Sequence, residues 1–80
     1  MTAVDFALRA EALFSSDLQR SEHPDAEAVR SAVDTALDRL GEKGCAECVA
    51  EEFGEHPENA CRRMTWAREA AADAFALSPA

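Results

Sequence analysis

The chain has 80 residues and a formal net charge of −8 at pH 7, and 48% of its residues are hydrophobic. This length allows one domain with a modest core, and no apolar run approaches the roughly 20 residues that span a bilayer, which excludes a membrane-spanning helix. Three cysteines, an odd number, argue against the paired disulfide framework of a small secreted domain.

Alanine dominates the apolar residues, and this composition favours helices over strands. The chain holds 18 alanines against six leucines, four valines and four phenylalanines, with neither isoleucine nor tyrosine. Alanine is the strongest helix former, whereas β-branched and aromatic residues favour strands. We therefore predict an all-α fold, a compact bundle of four helices that residues 1–80 form as a single domain.

The first predicted helix begins at Thr2, where Asp5 completes a capping box. A loop follows over residues 15–24, and Leu18 is placed to pack on the core. The apolar face of this helix recurs at helical spacing and consists of Ala3, Phe6, Ala7, Ala10, Leu13 and Phe14.

The second predicted helix begins near Pro24 and Asp25, because proline suits the first turn and aspartate caps it. Gly41 is its predicted end, since glycine readily takes the left-handed conformation that closes helices. Its apolar stripe consists of Val29, Val33, Ala36, Leu37 and Leu40.

Two further helices complete the predicted bundle. The third is short, places Cys45, Val49 and Phe53 on one face, and ends at Gly54. The fourth begins near Pro57 and runs toward Leu77. Its main stripe consists of Ala60, Met64, Ala67, Ala71 and Phe75.

Trp66 lies about 200° around the fourth helix from Met64, so it points away from the main stripe. A tryptophan beside arginines is typical of the residues that dominate protein interfaces. Two interpretations stay open: this side contacts a partner protein or a second copy of the chain, or the helix is enclosed on two sides within its own monomer. The predicted contact surface consists of Trp66, Arg62, Arg63, Ala70 and Leu77.

Residues 49–68 also fit a helix-turn-helix, because Ala50 and Gly54 would allow two helices to meet closely. Arg62, Arg63 and Arg68 are suited to phosphates or guanine edges. Charge opposes this alternative: residues 1–56 hold 13 acidic and 5 basic residues, whereas residues 57–80 hold three of each. The acidic segment would repel a phosphate backbone.

A second alternative is a zinc site formed by Cys45, Cys48, His56 and Cys61, which are the ligand types that zinc prefers. Cys45 and Cys61 fall on or beside an apolar stripe, however, and this placement favours small core residues over zinc ligands. The sequence contains no nucleophile–base pair, glycine-rich phosphate loop or cofactor fingerprint. We therefore expect no catalytic activity and no cofactor.

A set of short motifs carries a resemblance over residues 13–68: positions 13–19, 23–24, 29–30, 40–41, 44–46, 49–58 and 63–68. In these the chain resembles a group of small actinobacterial, Streptomyces-type helical proteins of unknown function. Their pattern includes the cysteine at Cys45 but neither Cys48 nor Cys61. The resemblance implies a bacterial cytoplasmic setting and supplies no chemistry.

The sequence thus predicts a non-enzymatic protein–protein interaction module, regulatory and cytoplasmic, whose partner is another protein or a second copy of the chain. DNA binding through residues 49–68 and zinc binding are the alternatives.

Overall fold

A computed structural model describes residues 3–76, which form three α-helices and one short 3-10 helix. They are α1 (Ala3–Phe14), the 3-10 helix (Arg20–Glu22), α2 (Ala26–Glu55) and α3 (Pro57–Ala74). This part of the chain contains no strand, so the all-α prediction is confirmed. The predicted cap at Thr2 and the predicted contact residue Leu77 lie outside the described residues.

The structure has three α-helices where the sequence predicted four, because the second and third predicted helices join as α2 across a kink at Gly41. Gly41 does break the helical geometry where the sequence predicted an end, with φ 72° and ψ 173°. Only glycine adopts such dihedral angles without strain. The helix then resumes immediately, and α2 consists of two helical arms on either side of Gly41.

The starts of α2 and α3 follow the predicted capping residues. The Asp25 carboxylate accepts a hydrogen bond of 2.8 Å from the backbone N–H of Ala28, which confirms Asp25 as the cap of α2. Pro57 occupies the first turn of α3. His56 alone separates α2 from α3, and its backbone N–H donates to the Glu52 carbonyl at 2.7 Å.

The three helices pack around a core of mostly small side chains. Leu18 packs against this core as predicted, whereas Leu40 is 38% exposed and does not join the predicted stripe. The chain leaves helical geometry at the next residue, which ends the stripe. The most buried side chains are Ala12, Leu13, Phe14, Val29, Val33, Ala36, Cys45, Ala60, Ala67 and Ala71.

Two arginines connect the end of α3 to the other helices. An Arg30 guanidinium nitrogen donates to the Ala74 carbonyl at 2.9 Å. The Arg9 guanidinium lies 4.3 Å from the centroid of the Phe75 ring. With these contacts the bundle has a radius of gyration of 11.9 Å, which matches the roughly 11–12 Å expected of a compact domain this size.

None of the helices formed by residues 3–76 has both the length and the apolar character required to cross a membrane.

Candidate functional site

Trp66 combines features of both interpretations that the sequence left open, a core residue and a surface contact. Its side chain is half-buried and packs against the edge of the core. It also lines three adjoining depressions that run between α3 and the segment that leads into α2. The indole is therefore supported by its own monomer and reachable from outside it.

These depressions together form one surface groove, which we call the Trp66 groove. Its largest part has a volume of about 440 Å³ and lies between α3 and the start of α2. Trp66, Ala70 and Pro24 supply apolar surface there, and the charged lining consists of Glu69, Asp73 and Arg20. A smaller part, about 200 Å³, lies toward the start of α3 and is lined by Gln19, Arg20, Asn59, Arg62, Arg63 and Trp66.

Arg63 stabilises the end of α1. Its Nε donates to the Phe14 carbonyl at 2.8 Å, and one terminal nitrogen lies 2.9 Å from the Ser16 carbonyl and 3.0 Å from the Leu18 carbonyl. The last carbonyls of a helix have no partner within it, so this guanidinium supplies a hydrogen bond to the Phe14 carbonyl at the end of α1. It also binds two carbonyls of the segment that follows the helix. Burial lowers the pKa of Arg63 from its usual value, yet a guanidinium remains charged at every physiological pH.

The same guanidinium also holds the indole in place. It lies 5.1 Å from the Trp66 ring and 5.7 Å from the Phe14 ring, within the range of cation–π attraction. Arg63 therefore connects α1, α3 and the tryptophan. The sequence could not reveal this role, because the carbonyls it binds lie 45 to 50 residues earlier in the chain.

Arg62 and Arg20 differ from Arg63, because both are exposed. Within residues 3–76 neither forms an ion pair or donates a side-chain hydrogen bond. Both line the Trp66 groove. The sequence placed Arg62 at this surface but did not reveal Arg20. Arg20 begins the short 3-10 helix, in a segment predicted to be a loop, where no helical spacing relates it to Trp66.

Among the five predicted contact residues, the structure brings Trp66, Arg62, Arg63 and Ala70 to one side of α3. Ala70 is half-buried and lines the groove beside Trp66. The fifth, Leu77, lies outside the described residues.

The predicted helix-turn-helix segment forms a corner between α2 and α3 in which one residue, His56, joins the helices. The exposed side chain of Glu55 lies at this corner, and the His56 ring Nδ1 lies 2.7 Å from a Glu52 carboxylate oxygen. Arg63, one of three arginines proposed for DNA, contacts the end of α1 instead. Arg62 and Arg68 remain exposed on α3.

The four residues of the zinc alternative are not brought together as ligands. Cys45 is fully buried, Cys48 is half-buried and Cys61 is exposed, while His56 pairs with Glu52. Within residues 3–76, no group of three or more histidine, cysteine, aspartate or glutamate side chains is placed to hold a metal ion.

Cys45 behaves as a core residue. Its thiol lies 3.9 Å from the Ala36 carbonyl, and its own carbonyl lies 3.2 Å from the Ser15 hydroxyl. Burial raises the pKa of the Cys45 thiol, although the Ser15 contact acts in the opposite direction. A neutral, enclosed thiol is a poor nucleophile.

A second groove lies on the opposite side of α3, with a volume of about 340 Å³. Phe6, Phe53 and Met64 form its half-buried apolar walls, and Arg68 lies at its edge. This second groove contains no tryptophan. Its Arg68 lies on α3, as Arg62 does, so a substitution of Arg68 is a control for a substitution of Arg62.

The chain matches no protein-family model, no curated protein and no solved structure.

Proposed function

We propose that this chain is a non-enzymatic, regulatory protein–protein interaction module of the bacterial cytoplasm, and that it binds its partner through the Trp66 groove. The observation on which the proposal depends is the placement of Trp66, which is fixed by Arg63 at 5.1 Å and still lines an open groove. An aromatic side chain held in its binding position loses little entropy on association.

The composition of the groove supports this proposal. Tryptophan and arginine are the residue types that most often dominate binding energy, and Trp66 lies beside Arg62 and Arg20. Ala70 and Pro24 extend the apolar surface, while Glu69 and Asp73 mark a polar edge. An apolar centre with a polar rim is the usual anatomy of an interface.

Site-specific photo-crosslinking in actinobacterial cells that produce the chain tests the proposal. A photoreactive side chain replaces Glu69, an exposed residue of the groove, and the matched control replaces Glu51, an exposed residue of α2. We expect a discrete crosslinked product from position 69 and none from position 51. Equal products from both positions, or none from position 69, would contradict the proposal.

The Trp66→Ala variant then tests whether partner binding depends on the indole. We expect binding to weaken about thirtyfold or more, as at other interface tryptophans, with the far-ultraviolet circular dichroism spectrum unchanged. If Trp66→Ala unfolds the chain, Trp66→Phe supplies the second variant, because it keeps an apolar ring and removes the indole N–H and the larger ring. A folded Trp66→Phe chain that crosslinks at full yield would show that the indole is not a contact residue.

A further inference from the structure

We infer that the Trp66 groove binds a short acidic segment of a partner protein, in which one or two carboxylates lie beside an apolar side chain. This inference rests on the proposed function, since it assigns the chemistry of the partner to the same groove. It concerns a peptide-like segment and not a nucleic acid.

The arginines at the start of α3 are the first argument. The part of the groove beside Gln19 and Asn59 is lined by arginines, amides and the indole, and by no acidic side chain. This is unusual surface for a chain with a net charge of −8. Arg20 and Arg62 face this part without an ion pair inside residues 3–76.

Most other basic side chains of the chain already have partners. Arg63 and Arg30 donate to backbone carbonyls, Arg9 lies over the Phe75 ring, and Arg39 lies 3.7 Å from the Asp17 carboxylate. Two unpaired guanidinium groups in one groove are therefore available to an anion. Guanidinium groups bind carboxylates through two parallel hydrogen bonds, which gives both affinity and orientation.

The charge distribution along the groove fixes the direction of the bound segment. The end beside Asn59 is lined by Arg20 and Arg62 and by no acidic side chain. At the end beside Ala70, Glu69 and Asp73 outnumber Arg20, which lines both ends. A carboxylate is therefore attracted more strongly to the first end than to the second. The segment therefore places its acidic residue against the arginines and its apolar residue against Trp66 and Ala70.

Net charge distinguishes this ligand from nucleic acid. A long polyanion experiences the field of the whole chain, which is repulsive at a net charge of −8. A short segment interacts mainly with charges within a Debye length, about 8 Å at physiological ionic strength. Two local arginines are thus sufficient for a carboxylate and insufficient for a duplex.

Intrinsic fluorescence provides the test, because Trp66 is the single tryptophan and the chain contains no tyrosine. The full chain is titrated with a blocked synthetic peptide of alternating glutamate and leucine. The control peptide has glutamine in place of every glutamate. We expect the acidic peptide to change the Trp66 emission saturably, and the glutamine peptide to bind at least about threefold more weakly, the smallest loss expected for removing exposed or half-exposed ion pairs.

Three arginine variants separate a local contact from a general charge effect. Arg20→Gln and Arg62→Gln should each weaken binding of the acidic peptide about threefold to tenfold. Arg68→Gln changes the net charge equally on the same helix, but beside the other groove, and should leave binding within about twofold. An equal loss with Arg68→Gln would overturn the inference.

Other outcomes would also overturn it. Equal binding of both peptides, or no emission change with either, would show that the groove does not select carboxylates; a crosslink from position 69 would still support the proposed function. Tighter binding of a duplex oligonucleotide than of the acidic peptide would reassign the arginines to nucleic acid. Self-association that Arg62→Gln abolishes would show that a second copy occupies the groove.

Discussion

Arg62 and Arg63 are neighbours in the chain, yet their guanidinium groups have opposite surroundings. The Arg62 guanidinium is exposed in the Trp66 groove, whereas that of Arg63 is half-buried among carbonyls at and just after the end of α1. Adjacent positions on a helix point about 100° apart, so one side chain can be exposed to solvent while its neighbour packs against the rest of the protein. The two residues should therefore respond differently to the same substitution.

Arg63→Ala should lower the free energy of unfolding by about 2–4 kcal/mol, because the carbonyls at the end of α1 and in the segment after it lose a charged donor, and half-buried polar groups are left without partners. Arg62→Ala should change it by no more than about 0.5 kcal/mol, as exposed substitutions usually do. Urea denaturation of both variants beside the wild type measures the difference. Equal losses would show that the contacts of Arg63 contribute nothing specific to stability.

At the scale of single elements, α2 shows both the strength and the limit of sequence patterns. Gly41 is recognisable as a break because glycine favours positive φ, and its φ is 72°. Packing decides how the chain continues after a break: Cys45 in the second arm is fully buried and its backbone carbonyl faces Ser15. This tertiary contact, 30 residues apart in the chain, has no signature in local spacing.

Gly41→Ala and Gly54→Ala form a matched pair of substitutions within α2. A Cβ added at either position meets no atom within 4 Å, so the difference between them is conformational. Gly41→Ala should cost about 1–3 kcal/mol, because alanine is strained at positive φ. Gly54→Ala should stabilise the chain by about 0.5–1 kcal/mol, since alanine suits a helix better. Thermal unfolding gives both values.

If Gly41→Ala raises the free energy of unfolding, that result would contradict the break in α2, because alanine is more stable than glycine within an uninterrupted helix.

Much of the remaining fold was accessible from sequence, because caps and apolar spacing are local. Asp25 caps α2 as predicted, and the main stripe of α3 faces the core at Ala60, Ala67 and Ala71. The site could be predicted only in part: the helical angle of Trp66 placed it off that stripe, but spacing could not show that Arg20 approaches from the 3-10 helix between α1 and α2. Side chains from separate elements meet only after packing.

At the scale of the whole molecule, a core of small side chains limits total stability. An 80-residue domain has a free energy of unfolding of roughly 4–12 kcal/mol, so single buried groups matter to the entire fold. Cys45 is such a group, with a fully buried thiol at a point where α2 faces α1. Its ionisation would place a charge in the core.

Stability should therefore fall as the pH rises above about 8.5, the ordinary pKa of a cysteine thiol. Burial raises the pKa of Cys45 in the folded chain, so over this range the unfolded state loses its proton first and becomes favoured. Cys45→Ala should make the free energy of unfolding less dependent on pH between about 8 and 10. Urea denaturation across this pH range measures the slope.

Cys61→Ala is the matched control, because it removes a thiol that is already exposed. It should keep the wild-type slope. A Cys45→Ala chain with an unchanged slope would show that the buried thiol does not couple folding to pH.

The hydrogen bonds from Arg63 to the end of α1 also determine the order in which parts of the chain can fold during synthesis. The guanidinium binds carbonyls 45 to 50 residues nearer the N-terminus, so a nascent chain must be synthesised beyond Arg63 before the end of α1 acquires these partners. A 12-residue helix such as α1 is marginal alone in water. The end of α1 therefore reaches its final structure only after α3 emerges. On a ribosome stalled before residue 63, the carbonyls at the end of α1 would lack the hydrogen bonds that Arg63 donates.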